Sequence, residues 1–376
     1  MTIEQTDGNP HGVVMTYAAR PHEPSHERVV HAELARRLAV ILGMEFGGHY
    51  DASANFGRRV YLVPSATLVG TGMAHMLGVS DQNDLFGGVV PMPFVATKAI
   101  THPLLSPEAH APKGWSGEFA TRVRAAVLPG FSAFSRDDAK LAGRQLLDKG
   151  PVRIKLASAS AGRAQTVVND AAALDAMLDS VSEDELSVGG VVLEQNLEDV
   201  TTYSVGQVLV GDLKATYIGT QRLTQDNEGE TVYGGSDLIV VRGGFGALMG
   251  LDLQPAVRHA VAQAQVYDAA ANACYPEFFA SRRNYDTVEG KDYEGKLCSG
   301  VLEQSWRIGG ASPAEVAALE AFHTTPGLRA VRSSCVEVFG EHHVPPADAT
   351  VLFRAHDADV GFITKYVEVK AYGNTE

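Results

Sequence analysis

The chain has 376 residues, of which 45% are hydrophobic, and its formal net charge is −14. A chain of this length and composition can bury a sizeable core, so we expect a globular protein of two or three domains. The acidic balance argues against a nucleic-acid partner, because binding to a phosphate backbone needs a basic surface.

The cysteines and the start of the chain indicate where the protein works. Cys274, Cys298 and Cys335 form no C-x-x-C pair and lie at no zinc spacing from a histidine, which argues against a disulfide framework and a structural zinc. The first residues lack the basic start and apolar run of a signal peptide, and no window approaches the length of a membrane helix. We therefore expect a cytoplasmic protein without a membrane partner.

The first part of the chain alternates predicted strands and helices. The apolar run GVVMTYAA at 12–19 predicts a strand. Residues 25–43 have helical periodicity, with Ser25 as the expected N-cap and Gly43 as the terminating residue. Strands are also predicted in RRVYLVPS and GGVVPMPFV. This order favours a small α/β domain that ends near residue 135.

The middle of the chain predicts a longer series of elements. In chain order these are a helix at 136–149, the strand GPVRIKLAS, a loop of small residues, the helix DAAALDAMLDSV, the strand GGVVLEQNL, an antiparallel pair made by TYSVGQVLV and KATYIGTQRL, two glycine-rich loops around the short strand LIVV, and a helix at 253–275.

Lys155 is the first candidate for a functional side chain. It alternates with Arg153 along a strand, so both side chains lie on one face, and the small-residue loop ASASAGR follows directly. Such a loop lets backbone N–H groups approach phosphate oxygens while a lysine supplies positive charge. The alternative is a solvent-facing lysine before an ordinary turn.

The strand VVLEQNL places Glu194 at the end of an apolar run, where the backbone can offer hydrogen bonds to the edge of a ligand. An ordinary strand end is the alternative. The sequence contains neither G-x-G-x-x-G nor G-x-x-x-x-G-K-[ST], so Rossmann and Walker-type nucleotide binding are disfavoured.

The apolar stretch GVLEQSWRIGGAS carries Glu303, Ser305 and Arg307 in alternation, so they share one face of a strand. A buried carboxylate is costly unless it is paired or holds a metal. Asn284 and Asp286 lie in the preceding β segment, and we expect them to converge with Glu303 across a hairpin. Oxygen ligands of this kind suit Mg²⁺. The alternative is a polar hairpin face with an ion pair between Arg307 and Glu303.

The order of these motifs resembles the ATP-grasp superfamily from Lys98 to Ser312, and the preceding part resembles the preATP-grasp domain. The resemblance implies an α/β (α+β) chain with the ATP-grasp fold. It also implies four segments, which are a preATP-grasp-like α/β domain at 1–97, a first ATP-grasp subdomain at 98–190, a second at 191–312, and a C-terminal extension of unknown role at 313–376.

The resemblance further implies roles for the site residues. ATP would contact Lys98, Lys155, Ser158, Ser160, Gly162, Arg163, Glu194, Gln195 and Leu197, where Glu194 accepts from the adenine amino group and the backbone near Gln195 and Leu197 holds the ring. Mg²⁺, or Mn²⁺ in its place, would be held by Asp286 and Glu303, with Asn284 and Ser305 as further ligands.

Two arginines are candidates for catalysis. The resemblance implies that Arg307 faces the transferred phosphoryl group or the acyl phosphate. Arg222 and the predicted loop Tyr233–Asp237 are candidates for substrate contact because of their polarity and position. The chain departs from the superfamily at Ser305, where asparagine is usual, and in a phosphate loop that contains less glycine.

The activity implied by the resemblance is that of an ATP-dependent ligase, in which a substrate carboxylate is activated as an acyl phosphate and attacked by an amine or a thiol. Its partners would be small-molecule carboxylates and amines, and a homodimer is the expected assembly. Two alternatives stay open: an ATP-binding sensor or regulatory protein without catalysis, and a kinase-like enzyme that stops at the phosphorylated product.

Overall fold

The computed structural model describes residues 12–53, 57–157 and 165–373. The first elements form a three-stranded parallel sheet, here called the N-terminal sheet, with strand order β2-β1-β3. Its elements are β1 (Gly12–Tyr17), α1 (Ser25–Leu42), β2 (Glu45–His49) and β3 (Arg59–Pro64). The predicted alternation of strand, helix and strand is confirmed here.

The two ends of α1 differ in how well the sequence predicts them. Gly43 follows the helix in the left-handed conformation, with φ of 64°, as a terminating glycine should. The prediction of Ser25 as N-cap is wrong, because Pro24 occupies that position. Asp357 instead accepts the Ser25 hydroxyl and the His26 N–H, so a carboxylate from the far end of the chain caps this helix.

The segment that follows is built from short elements. They are β4 (Leu68–Val69), α2 (Thr71–Met76), β5 (Gly88–Val90), two 3₁₀ turns at Pro93–Ala96 and Lys98–Thr101, α3 (Gly117–Val123) and β6 (Gly130–Ala133). The strand predicted in GGVVPMPFV is thus confirmed only over three residues. Pro91 and Pro93 end it, because proline has no N–H to donate to a neighbouring strand.

A four-stranded antiparallel sheet, the nucleotide-side sheet, comes next with strand order β6-β9-β7-β8. Its further elements are α4 (Arg136–Leu147), β7 (Val152–Leu156), β8 (Gln165–Val168), α5 (Ala171–Asp179), α6 (Glu183–Gly189) and β9 (Val191–Gln195). Ile154 and Leu193 pack against the helices in a closed core. The alternating residues Arg153, Lys155 and Glu194 therefore lie on the opposite face.

The rest of the chain forms an eight-stranded antiparallel sheet, the large sheet, in the order β15-β14-β10-β11-β12-β16-β18-β17. Its elements are β10 (Glu198–Val210), β11 (Leu213–Gln225), β12 (Thr231–Arg242), α7 (Phe245–Met249), α8 (Pro255–Cys274), β13 (Phe279–Ala280), β14 (Arg282–Lys291), β15 (Leu297–Ser305), α9 (Ser312–Thr324), β16 (Ala330–Phe339), β17 (Thr350–Asp357) and β18 (Gly361–Ala371). Residues 313–376 thus contribute strands to the same sheet as residues 191–312. β13 pairs instead with β5, which also pairs with β4.

Helices cover both faces of the large sheet. α1 and α9 share one core with Tyr217, Leu238 and Cys335, whereas α8 packs on the other face with Val205 and Ile218. No helix among the described residues is long and apolar enough to cross a membrane. The mixture of packed helices and sheets confirms the predicted α/β (α+β) class.

One loop predicted from glycine content is wrong. Tyr233–Asp237 lies inside the twelve-residue strand β12, which pairs with β11 on one side and β16 on the other. Gly235 has φ of 127° at the point where the register with β11 shifts beside Arg222. Glycine here marks a bulge in a continuous strand, not the end of one.

Candidate active site

A cavity of about 1540 Å³ opens between the nucleotide-side sheet, the large sheet and α1. Residues of β16–β18 form part of its wall, so the C-terminal strands contribute to it. Pockets for one small ligand usually measure about 300–1,000 Å³. The cavity therefore has room for two ligands at once.

One end of the cavity holds a buried charged cluster of Lys155, Glu194 and His102. Lys155 Nζ lies 2.5 Å from Glu194 Oε1, and His102 Nε2 lies 3.2 Å from Glu194 Oε2. Burial opposes ionisation of Glu194, but the Lys155 ammonium and the His102 hydrogen bond together lower its pKa to about 2. Glu194 is therefore charged at neutral pH and holds both neighbours in place.

This cluster bears on the predicted adenine contacts. Both carboxylate oxygens of Glu194 already have protein partners. The Gln195 N–H donates to the Pro129 carbonyl, and Leu197 lines the cavity beside it. An adenine ring would need acceptor or donor capacity that these contacts leave over, so the assignment of Glu194, Gln195 and Leu197 to adenine stays a prediction.

The predicted phosphate loop lies between β7 and β8. Its four candidate contacts fall outside the described residues, and they are Ser158, Ser160, Gly162 and Arg163. The flanking strands pair antiparallel with Lys155 opposite Gln165, which confirms the predicted order of strand, loop and strand. Lys155 thus stands at the end of the hairpin where the loop begins.

The candidate metal ligands meet on β14 and β15. Asp286 pairs with Glu303 and Asn284 pairs with Ser305 in the strand register, so the structure brings together the residues that the hairpin pattern predicted. Asp286 Oδ1 accepts from Ser204 Oγ at 2.9 Å and from Asn284 Nδ2 at 3.0 Å. Burial and the adjacent Glu303 charge raise the pKa of Asp286. These two carboxylates therefore need positive charge nearby.

Lys98 supplies part of that charge. Its Nζ lies 2.9 Å from Glu303 Oε2, and the lysine side chain is only 6% exposed. The ion pair between Arg307 and Glu303, which was the alternative to a metal site, is absent from the described residues because Lys98 takes that place. Lys98, predicted to bind phosphate, thus reaches the candidate metal site.

Asn284 and Ser305 have protein partners for their side-chain oxygens. Asn284 Oδ1 accepts from the Tyr217 hydroxyl at 2.8 Å, and Ser305 Oγ accepts from Arg282 Nη1 at 3.3 Å. The Asn284 amide is thereby turned so that its N–H group supports Asp286. This arrangement makes Asn284 a positioning residue for Asp286 and leaves its role as a direct metal ligand a prediction.

Asp286 and Glu303 fit a magnesium ion. Asp286 Oδ2 and Glu303 Oε1 accept no hydrogen bond from any residue that the structure describes. Mg²⁺ is usually held by one or two carboxylates together with water and substrate phosphates. The two carboxylates, with phosphate-binding lysines next to them, match that set of ligands.

Arg307 follows β15 and lines the same cavity. Its Nη1 donates to the Ile308 carbonyl at 2.9 Å, and it forms no ion pair within the described part of the chain. Burial and the neighbouring charges of Arg20 and Arg282 lower its pKa. Arg307 is thus a mostly buried cation that lacks a carboxylate partner.

Arg222 does not belong to the site. It forms two hydrogen bonds with Asp237, which lies on the other face of the large sheet with Ser334. The cavity is instead lined by Gln221, the neighbour of Arg222 in β11. Because side chains alternate along a strand, Arg222 points away from the cavity, and the catalytic role proposed for it is withdrawn.

The sequence reasoning missed a buried pair behind the site. Arg282 donates to both oxygens of Glu315 and, through Nη1, to the carbonyls of Ser305 and Arg307. Tyr217 also donates toward Glu315. A charged residue in the first turn of a predicted apolar helix was the available signal, but its partner lies in a distant strand.

A second missed group lines the far end of the cavity on α1. The ligand atoms of Glu23, Glu27 and His31 lie within 4.8 Å of one another. Arg20 forms ion pairs with both glutamates. Glu27 and His31 are four residues apart in a predicted helix, a spacing that places them on one face. Because Arg20 already offsets their charge, we interpret this group as a polar wall.

Comparison with solved structures identifies the fold. The chain is similar to N5-carboxyaminoimidazole synthase from Aspergillus clavatus, with 12% identity, a TM-score of 0.51 and coverage of 96% and 94% of the two chains. It is also similar to the biotin carboxylase domain of 2-oxoglutarate carboxylase from Hydrogenobacter thermophilus, with 12% identity, a TM-score of 0.54 and coverage of 96% and 86%. At such identities the likeness concerns the fold alone, and it confirms the predicted ATP-grasp fold.

The sequence comparisons add the family. No curated protein matches the chain. One family model, described as "Protein of unknown function (DUF3182)", matches residues 14–367, which is nearly the whole chain. The chain therefore belongs to the DUF3182 family, and it has the ATP-grasp fold.

Proposed function

We propose that this protein is an ATP-dependent ligase that activates a substrate carboxylate as an acyl phosphate for attack by an amine. The observation that carries the proposal is Arg307, a mostly buried guanidinium without a carboxylate partner in the described residues, in the same cavity as Asp286 and Glu303. A buried cation is costly unless an anion completes it. An anionic substrate held by Arg307 would supply that anion beside the metal ligands.

The neighbouring residues divide the remaining work. Lys98 and Lys155 would bind nucleotide phosphates, and Asp286 and Glu303 would hold Mg²⁺, which offsets charge on the phosphates. Arg307 would hold the substrate carboxylate in line with the terminal phosphoryl group, so that proximity lowers the barrier. Transfer of the phosphoryl group gives ADP and an acyl phosphate, and attack by the amine then gives an amide and phosphate.

The similar structures support this choice of substrates. The Aspergillus clavatus enzyme was crystallised with ADP and 5-aminoimidazole ribonucleotide, and the Hydrogenobacter thermophilus domain with magnesium ADP and bicarbonate. Those two proteins thus bind a nucleotide together with an amine or a carboxylate-like anion. The cavity here has room for such a pair. A homodimer stays a prediction.

The decisive measurement is ADP formation from MgATP with pools of small carboxylic acids, each with and without a pool of primary amines. A ligase forms ADP only when an acid and an amine are both present. ADP formation with an acid alone would favour the kinase-like alternative. ATP binding without ADP under any combination would favour the sensor and would contradict the proposal.

Replacement of Glu303 with Gln tests the assignment of the metal ligand in the same assay. We expect loss of ADP formation, because one of the two carboxylates that hold Mg²⁺ is lost, while the fold is kept. Glu118→Gln is the matched control, since Glu118 pairs with Arg122 on the exposed surface of α3. Normal turnover in Glu303→Gln would contradict the role of Glu303.

A further inference from the structure

The ion pair between Lys98 and Glu303 joins two residues that the proposed function assigns to different ligands. Lys98 is a phosphate lysine, Glu303 a metal ligand, and their charged atoms lie 2.9 Å apart. An inference from this pair rests on the proposed function only for those two roles. The contact itself shows that the lysine ammonium stands where a cation bound to Glu303 would be expected.

The backbone around this pair is firmly held. Gln304, next to Glu303, donates from Nε2 to the Val95 carbonyl at 3.0 Å and to the Thr97 carbonyl at 2.7 Å. The Tyr267 hydroxyl donates to Gln304 Oε1 at 3.0 Å. The segment that carries Lys98 is therefore fastened to β15 at the residue beside Glu303. Only the lysine side chain is left to move when the pair breaks.

We propose that Lys98 acts as an internal substitute for the metal: it holds Glu303 in the nucleotide-free protein and excludes a divalent cation until nucleotide phosphates draw its ammonium away. Two cations cannot share one carboxylate at close range without strong repulsion. A metal that arrives alone would break a buried ion pair, which is costly. A nucleotide that arrives alone would draw Lys98 away and leave its phosphates facing Glu303 and Asp286.

When both ligands bind together, every charge keeps a partner. The ammonium exchanges a carboxylate for a phosphate, and Glu303 exchanges the ammonium for the metal. The affinity of each ligand is therefore expected to rise when the other is present, and by thermodynamic linkage the two increases are equal. The device would keep the site from binding free metal ions before the nucleotide arrives.

The test measures Mn²⁺ binding to the nucleotide-free protein by electron paramagnetic resonance of free Mn²⁺. We expect Lys98→Met to bind Mn²⁺ at least about tenfold more tightly than the natural protein, within the usual range of such couplings. Lys98→Gln, which keeps a polar head without charge, should show the same gain if Lys98→Met folds poorly. Lys155→Met is the matched control, because Lys155 pairs with Glu194, and it should show no gain.

A double variant, Lys98→Met with Glu303→Gln, locates the effect, because the gain should disappear when the carboxylate is removed. Equal Mn²⁺ affinity in the natural protein, Lys98→Met and Lys98→Gln would overturn the proposal, and so would a gain that persists in the double variant. The measurement uses neither ATP nor substrate. Its failure is thus distinct from failure of the ligase proposal, which the ADP assay reports.

Discussion

Arg282 Nη2 lies 2.7 Å from Glu315 Oε1, and the two side chains are 2% and 0% exposed. This pair joins β14, which carries Asp286, to the first turn of α9. Arg282 also donates to the carbonyls of Ser305 and Arg307. The helix that begins the C-terminal part of the chain thus holds the end of β15 and the loop after it, where the site is built.

Replacement of Glu315 with Gln should destabilise the protein strongly. Removal of one charge leaves the Arg282 guanidinium buried and unpaired, and loss of one partner of such a pair typically costs about 3–5 kcal/mol. Urea unfolding of the variant and the natural protein measures the difference. Replacement of both partners, Arg282→Met with Glu315→Leu, should recover much of the loss. A free energy of unfolding for Glu315→Gln equal to that of the natural protein would contradict this account.

Replacement of Arg307 with Met should abolish ADP formation while ATP binding is largely kept, because Arg307 is assigned to the acid and the two lysines to the nucleotide. Arg222→Met is the matched control, since its side chain lies on the other face of the large sheet and pairs with Asp237. Its turnover should stay near the natural level. Equal turnover of the two variants would remove Arg307 from the site. ATP affinity is measured by calorimetry and ADP by a coupled assay.

The stability of the protein should fall as the pH drops from about 6.5 to about 4, partly through His26. Burial and the Lys365 charge lower the pKa of His26 from its ordinary value of 6.5 to about 4. Within this range the unfolded chain binds a proton at His26 that the folded protein does not. Each such proton lowers stability as the pH falls.

The variant His26→Gln should therefore lose less stability than the natural protein between pH 6.5 and pH 4. Urea unfolding at several pH values gives the two slopes. Above pH 7 the difference between the two proteins should be constant, because His26 is neutral in both states there. Parallel curves throughout the acidic range would show that His26 contributes nothing to the pH dependence.

Local patterns predicted the elements and the faces of the site strands well. Strand periodicity placed Arg153 and Lys155 on one face, and the same rule placed Glu303 on the face it shares with Asp286. These predictions hold because side-chain direction in a strand depends only on the backbone of that strand. Glycine content misled where it marked a bulge in β12.

The sequence by itself determined the helices and strands, the apolar faces that pack and the motif order that indicates the ATP-grasp fold. Only the tertiary structure decided which charges meet: Lys98 with Glu303, Lys155 with Glu194, and Arg282 with Glu315. Such pairs join residues from distant segments and follow no local period. Their strength comes from burial, which exists only after the sheets and helices have packed around them.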